Sequence, residues 1–78
     1  MFYNYVIKSL SDEYIYSGFT SDLKNRLEMH NSGKVTATKG HIPFELIYFE
    51  GCKSKQKALE REKTLKTGWG RKYLKNRL

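Results

Sequence analysis

The chain has 78 residues, with 15 Lys and Arg against 8 Asp and Glu, for a net charge of +7. That length suits one compact domain spanning 1–78, with a modest core and marginal stability. At 38% hydrophobic and 14% aromatic residues it is too apolar for intrinsic disorder, while a mean hydropathy of −0.72 and the lack of a long apolar run exclude a membrane-spanning helix.

The N-terminus, Met1-Phe2-Tyr3-Asn4-Tyr5, has no basic stretch ahead of an apolar core, so no signal peptide is expected. Residues 2–8 and 14–19 are rich in β-branched and aromatic side chains and predict two strands. The short polar stretch Leu10-Ser11-Asp12-Glu13 makes them an antiparallel hairpin. Alternation puts Tyr3, Tyr5 and Ile7 on one face of the first strand, and Tyr14, Tyr16 and Gly18 on one face of the second. Hairpin pairing then brings Tyr5 near Tyr16. Gly18 inside a strand marks a bulge or a place where something approaches the backbone closely.

A helix is expected at about 21–31, capped by Thr20 or Ser21, with Asp22 in its first turn and Gly33 just past its end. Residues 31–43 form a long polar segment holding two glycines and a proline. A loop of that length in a small domain is often functional or mobile, and Lys34, Lys39 and His41 on it suggest closure over an anionic substrate. Residues 44–50 predict a third strand. Residues 54–67 predict a second helix, with Ser54 as cap and Gly68 as stop. Residues 71–77 suggest a short basic third helix. The order β-β-α-β-α(-α) implies an α+β fold, a small sheet flanked by helices.

Cys52 is the single cysteine, which rules out an intramolecular disulfide and a four-cysteine zinc site and fits a reducing cytoplasm. As a nucleophile it needs His30 or His41 as base; an inert thiol is the simpler reading. The charge is uneven: residues 1–52 sum to −1 and residues 53–78 to +8. A basic C-terminal third points to a polyanion, because each Lys or Arg at a phosphate releases a condensed counterion. Arg61, Lys63 and Lys66 of the second helix, with Lys34 and Lys39 of the loop, are the candidate phosphate contacts. The plainer alternative is a solvated helix face.

Helical phase singles out three polar residues. At about 100° per residue, Arg26 and His30 fall on the stripe of Leu23 and Leu27, and Glu62 falls on the stripe of Ala58 and Leu65. Burying a charge is costly unless something pairs with it. Glu62 is therefore either one half of an internal ion pair, with the neighbouring lysines or an arginine as partner, or a carboxylate held ready for a cation.

Taken in order, these residues resemble the GIY-YIG nuclease superfamily. Tyr3-Asn4-Tyr5 matches the first half-motif in its last tyrosine, and Tyr16-Ser17-Gly18 matches the second in its tyrosine and glycine. Thr20-Ser21-Asp22-Leu23-Lys24-Asn25-Arg26-Leu27 is similar to the family's arginine helix. His30-Asn31-Ser32-Gly33-Lys34 follows as in small stand-alone members, and Ala58-Leu59-Glu60-Arg61-Glu62-Lys63 is similar to the helix bearing the metal-binding glutamate. The likeness extends to short single-domain proteins similar to the N-terminal nuclease domain of the bacterial excision-repair incision subunit.

The resemblance implies a small, mainly antiparallel three-stranded sheet flanked by helices, and a metal-dependent endonuclease that hydrolyses DNA. It implies Glu62 as the ligand of one Mg²⁺ or Mn²⁺ and Arg26 as the phosphate-stabilising cation. Tyr5 or Tyr16 would activate or orient water, with His30 as a supporting acid/base or phosphate contact. Arginine suits phosphate because its planar fork binds two oxygens and keeps its proton. Two departures stand out: the first half-motif lacks its Gly-Ile, and Phe19 occupies the place where many relatives carry a lysine. The second leaves open a nucleic-acid-binding module with little catalysis, or a subunit that needs a protein partner.

Overall fold

A computed structural model describes residues 1–66. The elements run β1 (Phe2–Ser9), β2 (Ile15–Thr20), α1 (Leu23–Asn31), a 3-10 turn at Lys39–His41, β3 (Phe44–Cys52) and α2 (Lys55–Lys66). The strands form one antiparallel sheet in the order β2-β1-β3. This is the α+β order expected from the sequence. Gly68 and the basic helix anticipated at 71–77 lie outside the described residues.

β1 takes the centre because both its faces are apolar enough to be covered: Asn4, Tyr5, Val6 and Ile7 are all buried. On one face Tyr5 and Ile7 pack with Phe44, Tyr16 and Leu46 and with Leu23 and Leu27 of α1. On the other, Val6 packs with Leu65 of α2 and with Ile47 and Tyr48. β3 serves both faces through a bulge. Val6 pairs with Tyr48 and Ile7 with Leu46, so Ile47 is the extra residue.

α1 begins two residues later than expected. Asp22, not Thr20 or Ser21, is the N-cap, its carboxylate accepting from Asn25 N–H at 3.1 Å. Thr20 is still the last residue of β2, and its Oγ1 accepts from Asp22 N–H instead. At the other end Ser32 is the C-cap and Gly33 adopts φ +77°, a left-handed conformation that suits glycine. Asn31 clamps this end to β3: its Oδ1 accepts from Phe44 N–H at 2.6 Å and its Nδ2 donates to Phe44 C=O at 3.2 Å.

α2 starts where expected, with Ser54 Oγ accepting from Lys57 N–H at 3.3 Å. Asn4 ties it to the sheet by donating Nδ2 to Ala58 C=O at 2.9 Å, one turn before Glu62.

The loop between α1 and β3 is docked rather than poised to swing over a substrate. Leu10 N–H donates to Pro43 C=O at 2.8 Å, and Ser9 Oγ donates to His41 C=O at 2.5 Å. His41 stacks on Tyr14 at 4.0 Å and bonds Asp12 Oδ2 at 2.5 Å. Thr38 is fully buried. The polar composition that suggested mobility is taken up by internal hydrogen bonds, which hold an irregular backbone in place.

Candidate functional site

The site begins with a missing side chain. Tyr5 and Gly18 are direct partners across β1 and β2. A Cβ on Gly18 would overlap the Tyr5 hydroxyl oxygen and Cζ and lie 2.9 Å from Cε1. The Tyr5 ring therefore lies across Gly18, and its hydroxyl is delivered toward the edge strand β2. The glycine expected to allow close approach admits a side chain of the protein itself.

α1 supplies the next two groups from one face. His30 Nε2 is 2.7 Å from the Tyr5 hydroxyl oxygen, and Arg26 Nε donates to that oxygen at 3.4 Å. The i,i+4 spacing read from sequence is what stacks Arg26 and His30 one above the other. Behind His30, Nδ1 is 2.7 Å from Thr38 Oγ1, and Thr38 Oγ1 donates to Val35 C=O at 3.4 Å. His30 is fully buried, with the rings of Tyr5, Tyr16 and Phe44 at centroid distances of 5.7, 5.2 and 6.0 Å.

The fourth group comes from α2. Glu62 lies one turn before Lys66 on the same face of α2. Its Oε2 is 3.6 Å from Lys66 Nζ, and that ammonium lies 5.7 Å from the centre of the Tyr16 ring. α2 packs on the Val6 face, and its Lys66 meets the Tyr16 ring of the Tyr5 face at the edge strand β2. Tyr5, Tyr16, Arg26 and His30 thus form one cluster, and the Glu62–Lys66 pair of α2 borders it through the Tyr16 ring.

Other residues expected at the site are placed elsewhere. Arg61 Nε bonds Glu50 Oε1 of β3 at 2.6 Å, and Glu50 Oε2 in turn accepts from Tyr48. The internal Glu–Arg pair considered for Glu62 is in fact made by Glu50. Lys63 lines a shallow depression with Lys55, Gln56, Leu59 and Glu60. Lys34 and Lys39 lie on the docked loop, on either side of the segment that brings Thr38 to His30. Phe19 pairs with Asn4, facing away from the Gly18–Tyr5 side, and stacks on Phe2 at 5.9 Å.

Sequence reading missed the anchoring roles of Asn4, Asn31 and Thr38. Asn4 and Asn31 carried a signal, being polar residues inside or beside apolar elements. Thr38 carried none, because a threonine in a polar loop is ordinary until the fold buries it.

The electrostatics separate the two central groups. Burial raises the Tyr5 hydroxyl above the ordinary tyrosine range, against the opposing hydrogen bond and charge of Arg26. Burial, then the Arg26 charge, hold His30 below the ordinary histidine value of 6.5. At neutral pH the pair is a phenol against a neutral imidazole. The folded protein refuses a proton that the unfolded chain accepts, so His30 costs no stability above about 6.5 and an increasing amount as pH falls below it. Asp12, held low by its hydrogen bond to His41, adds stability above 3.8 that is lost as pH falls through its lower folded value. A melting-temperature scan should therefore be flat from neutrality to about 10, decline in two stages on the acid side, and decline again above 10, where the unfolded chain gives up a Tyr5 proton that the fold retains. His30→Gln should remove the first stage only.

Among the described residues no three His, Cys, Asp or Glu side chains form a metal cluster. The acidic group at this site is Glu62, with its side chain 23% exposed and a loose lysine partner. That donor set fits a hydrated divalent cation of the magnesium type, which is commonly bound through one or two carboxylates with water and phosphate completing the shell. It does not fit zinc, which needs three or four protein ligands.

The family model of the GIY-YIG catalytic domain matches residues 1–76. The chain belongs to the GIY-YIG family. Members of this superfamily are typically endonucleases and generally use divalent metals, so the fold is nuclease-like. Among curated proteins it is similar to a UPF0213 protein of Streptococcus agalactiae, 42% identical over 82% of this chain and 73% of that one. It is also similar to a UPF0213 protein of Bacillus pumilus, 44% identical over 90% of this chain and 70% of that one. The solution NMR structure of a UPF0213 protein from Bacillus halodurans covers 97% of this GIY-YIG chain and 84% of its own, at 30% identity and a TM-score of 0.59.

Proposed function

We propose that the chain is a divalent-metal-dependent endonuclease that hydrolyses DNA phosphodiester bonds. The observation that carries this reading is the convergence of Arg26 and His30 from α1 on the Tyr5 hydroxyl, with the Glu62–Lys66 pair of α2 beside the neighbouring Tyr16 ring.

Cleavage builds negative charge on the phosphoryl oxygens. When bound, a cation on Glu62 offsets that charge. Arg26 binds the phosphate through its remaining guanidinium donors while Nε stays on Tyr5. Tyr5 is better placed than Tyr16 to orient and deprotonate the attacking water, because its hydroxyl is bonded to a neutral imidazole. Lys66 provides a cation on the Tyr5 side of the sheet. It compensates for Phe19, whose side chain packs on Phe2. The lysines Lys34, Lys39 and Lys63 contact the DNA backbone outside the reacting phosphate. The sequence carries no motif for reading base edges, so structure-specific or nonspecific cutting of DNA, as in cytoplasmic DNA repair, is the expected use.

The second reading is a nucleic-acid-binding module without catalysis. It is favoured by Phe19, which leaves β2 without a lysine at that position, and by the charge of +7.

The test is incubation of purified protein with plasmid and branched DNA in Mn²⁺ or Mg²⁺. Wild type should nick, and Arg26→Ala and Glu62→Ala should not, with unchanged circular dichroism. Absence of cutting on every DNA structure with every divalent cation refutes the nuclease reading. Salt-sensitive binding that survives Glu62→Ala in that case supports the second.

A further inference from the structure

We propose that Thr38 is a positioning residue: its hydroxyl fixes the tautomer of His30 so that an unprotonated Nε2 faces Tyr5 and receives the tyrosine proton as water is activated. The catalytic half of this inference rests on the nuclease reading; the tautomer does not.

The direction of the hydrogen bonds follows from what each atom can do. Val35 C=O only accepts, so the Thr38 hydroxyl hydrogen points to it across 3.4 Å. With that hydrogen on Val35 C=O, the oxygen of Thr38 is the acceptor for His30 Nδ1, 2.7 Å away, and this arrangement puts the ring hydrogen on Nδ1. A neutral imidazole with hydrogen on Nδ1 has its lone pair on Nε2. That lone pair is 2.7 Å from the Tyr5 hydroxyl, which therefore donates into the ring. Arg26 Nε takes one lone pair of the Tyr5 oxygen, and the other is left for a water.

Val35, Thr38, His30 and Tyr5 thus form a one-way chain. Thr38 and His30 are both fully excluded from solvent, so no water competes to scramble the tautomer. Among the described residues, the charged and titratable groups around His30 are Tyr5 of β1, Tyr16 of β2 and Arg26 of its own helix; β3 presents the Phe44 ring. None of these offers Nδ1 an alternative partner.

In the reaction, water gives a proton to the Tyr5 oxygen as Tyr5 passes its own to His30 Nε2. The resulting hydroxide forms the new bond to phosphorus, the bond to the leaving oxygen breaks, and that oxygen takes a proton from solvent. His30 then returns its proton to the Tyr5 oxygen, and the Tyr5 hydroxyl passes its own proton on to the next water, which restores the starting state. The loop between α1 and β3 acts here as the support of the base.

Three proteins test this: wild type, Thr38→Ser and Thr38→Val. NMR of the His30 ring nitrogens in the metal-free protein should show hydrogen on Nδ1 in wild type and Thr38→Ser, and a shift toward Nε2–H in Thr38→Val. The kcat for DNA cleavage should fall about a hundredfold in Thr38→Val at unchanged KM, the lower end of what positioned acid–base groups contribute, and serine should restore most of it. A wild-type His30 with hydrogen on Nε2 overturns the proposal. So does a Thr38→Val protein that changes tautomer and keeps its kcat. If Thr38→Val fails to fold, the wild-type and Thr38→Ser spectra still decide the tautomer. If wild type cuts no DNA, the nuclease reading and the catalytic role of Thr38 fall together, while the ring spectrum judges the hydrogen-bond chain alone.

Discussion

Glu62→Gln should reduce DNA cleavage by roughly a thousandfold, because a metal's Lewis-acid stabilisation of a phosphoryl transition state is worth several kcal/mol. The fold should survive. Glu62 is only partly buried, and its ion pair is a 3.6 Å contact with Lys66 on the helix surface, an interaction worth about a few tenths of a kcal/mol. Glutamine keeps the shape and removes the charge that a cation needs. Glu50 is the control that separates a structural carboxylate from a functional one. It holds Arg61 and Tyr48 together between β3 and α2. Glu50→Gln should lower the melting temperature more than Glu62→Gln does, with far less loss of specific activity. Thermal melts and metal-dependent nicking rates on both variants check the pair; equal activity losses in the two would remove Glu62 from its assigned role.

Gly18→Ala is the second large effect, and it should damage stability and activity together. The new methyl would sit inside van der Waals distance of three atoms of the Tyr5 side chain, Cε1, Cζ and the hydroxyl oxygen. Those atoms cannot yield easily, since Tyr5 is 1% exposed and its hydroxyl is fixed by His30 and Arg26. Overpacking costs about 1–3 kcal/mol, and each hydrogen bond broken by displacing the ring adds about 1 kcal/mol. In a domain of this size, about 1 kcal/mol moves the melting temperature by roughly 4–8 °C, so a fall on the order of 10 °C or more is expected. Gly40→Ala is the matching control, because a methyl there meets nothing within 4 Å. Differential scanning calorimetry distinguishes them. A Gly18→Ala protein that melts with wild type would mean the Tyr5 ring does not lie across this backbone.

Much of the site was legible before any coordinates, and the residues show why. Helical phase put Arg26 and His30 on one stripe and Glu62 among apolar neighbours, because periodicity is a local property of the chain. Alternation paired the tyrosine faces of the hairpin for the same reason. Local signals failed where capping options competed. Thr20, Ser21 and Asp22 can all cap α1, and only the end of β2 at Thr20 decides for Asp22. They failed again at the loop, where a polar composition suggested mobility although the fold buries Thr38 and stacks His41 on Tyr14.

The order of elements and the identity of the polar outliers follow from patterns that repeat every two or 3.6 residues, which a linear reading can count. Partner choice does not. That Arg61 is taken by Glu50, that Lys66 comes to lie over Tyr16, and that Thr38 closes the back of His30 are contacts between segments distant in the chain or turned toward each other by packing. Such contacts depend on the sheet's twist, on the bulge at Ile47 and on which face each helix covers. Those are properties of the folded whole, and no window of sequence contains them.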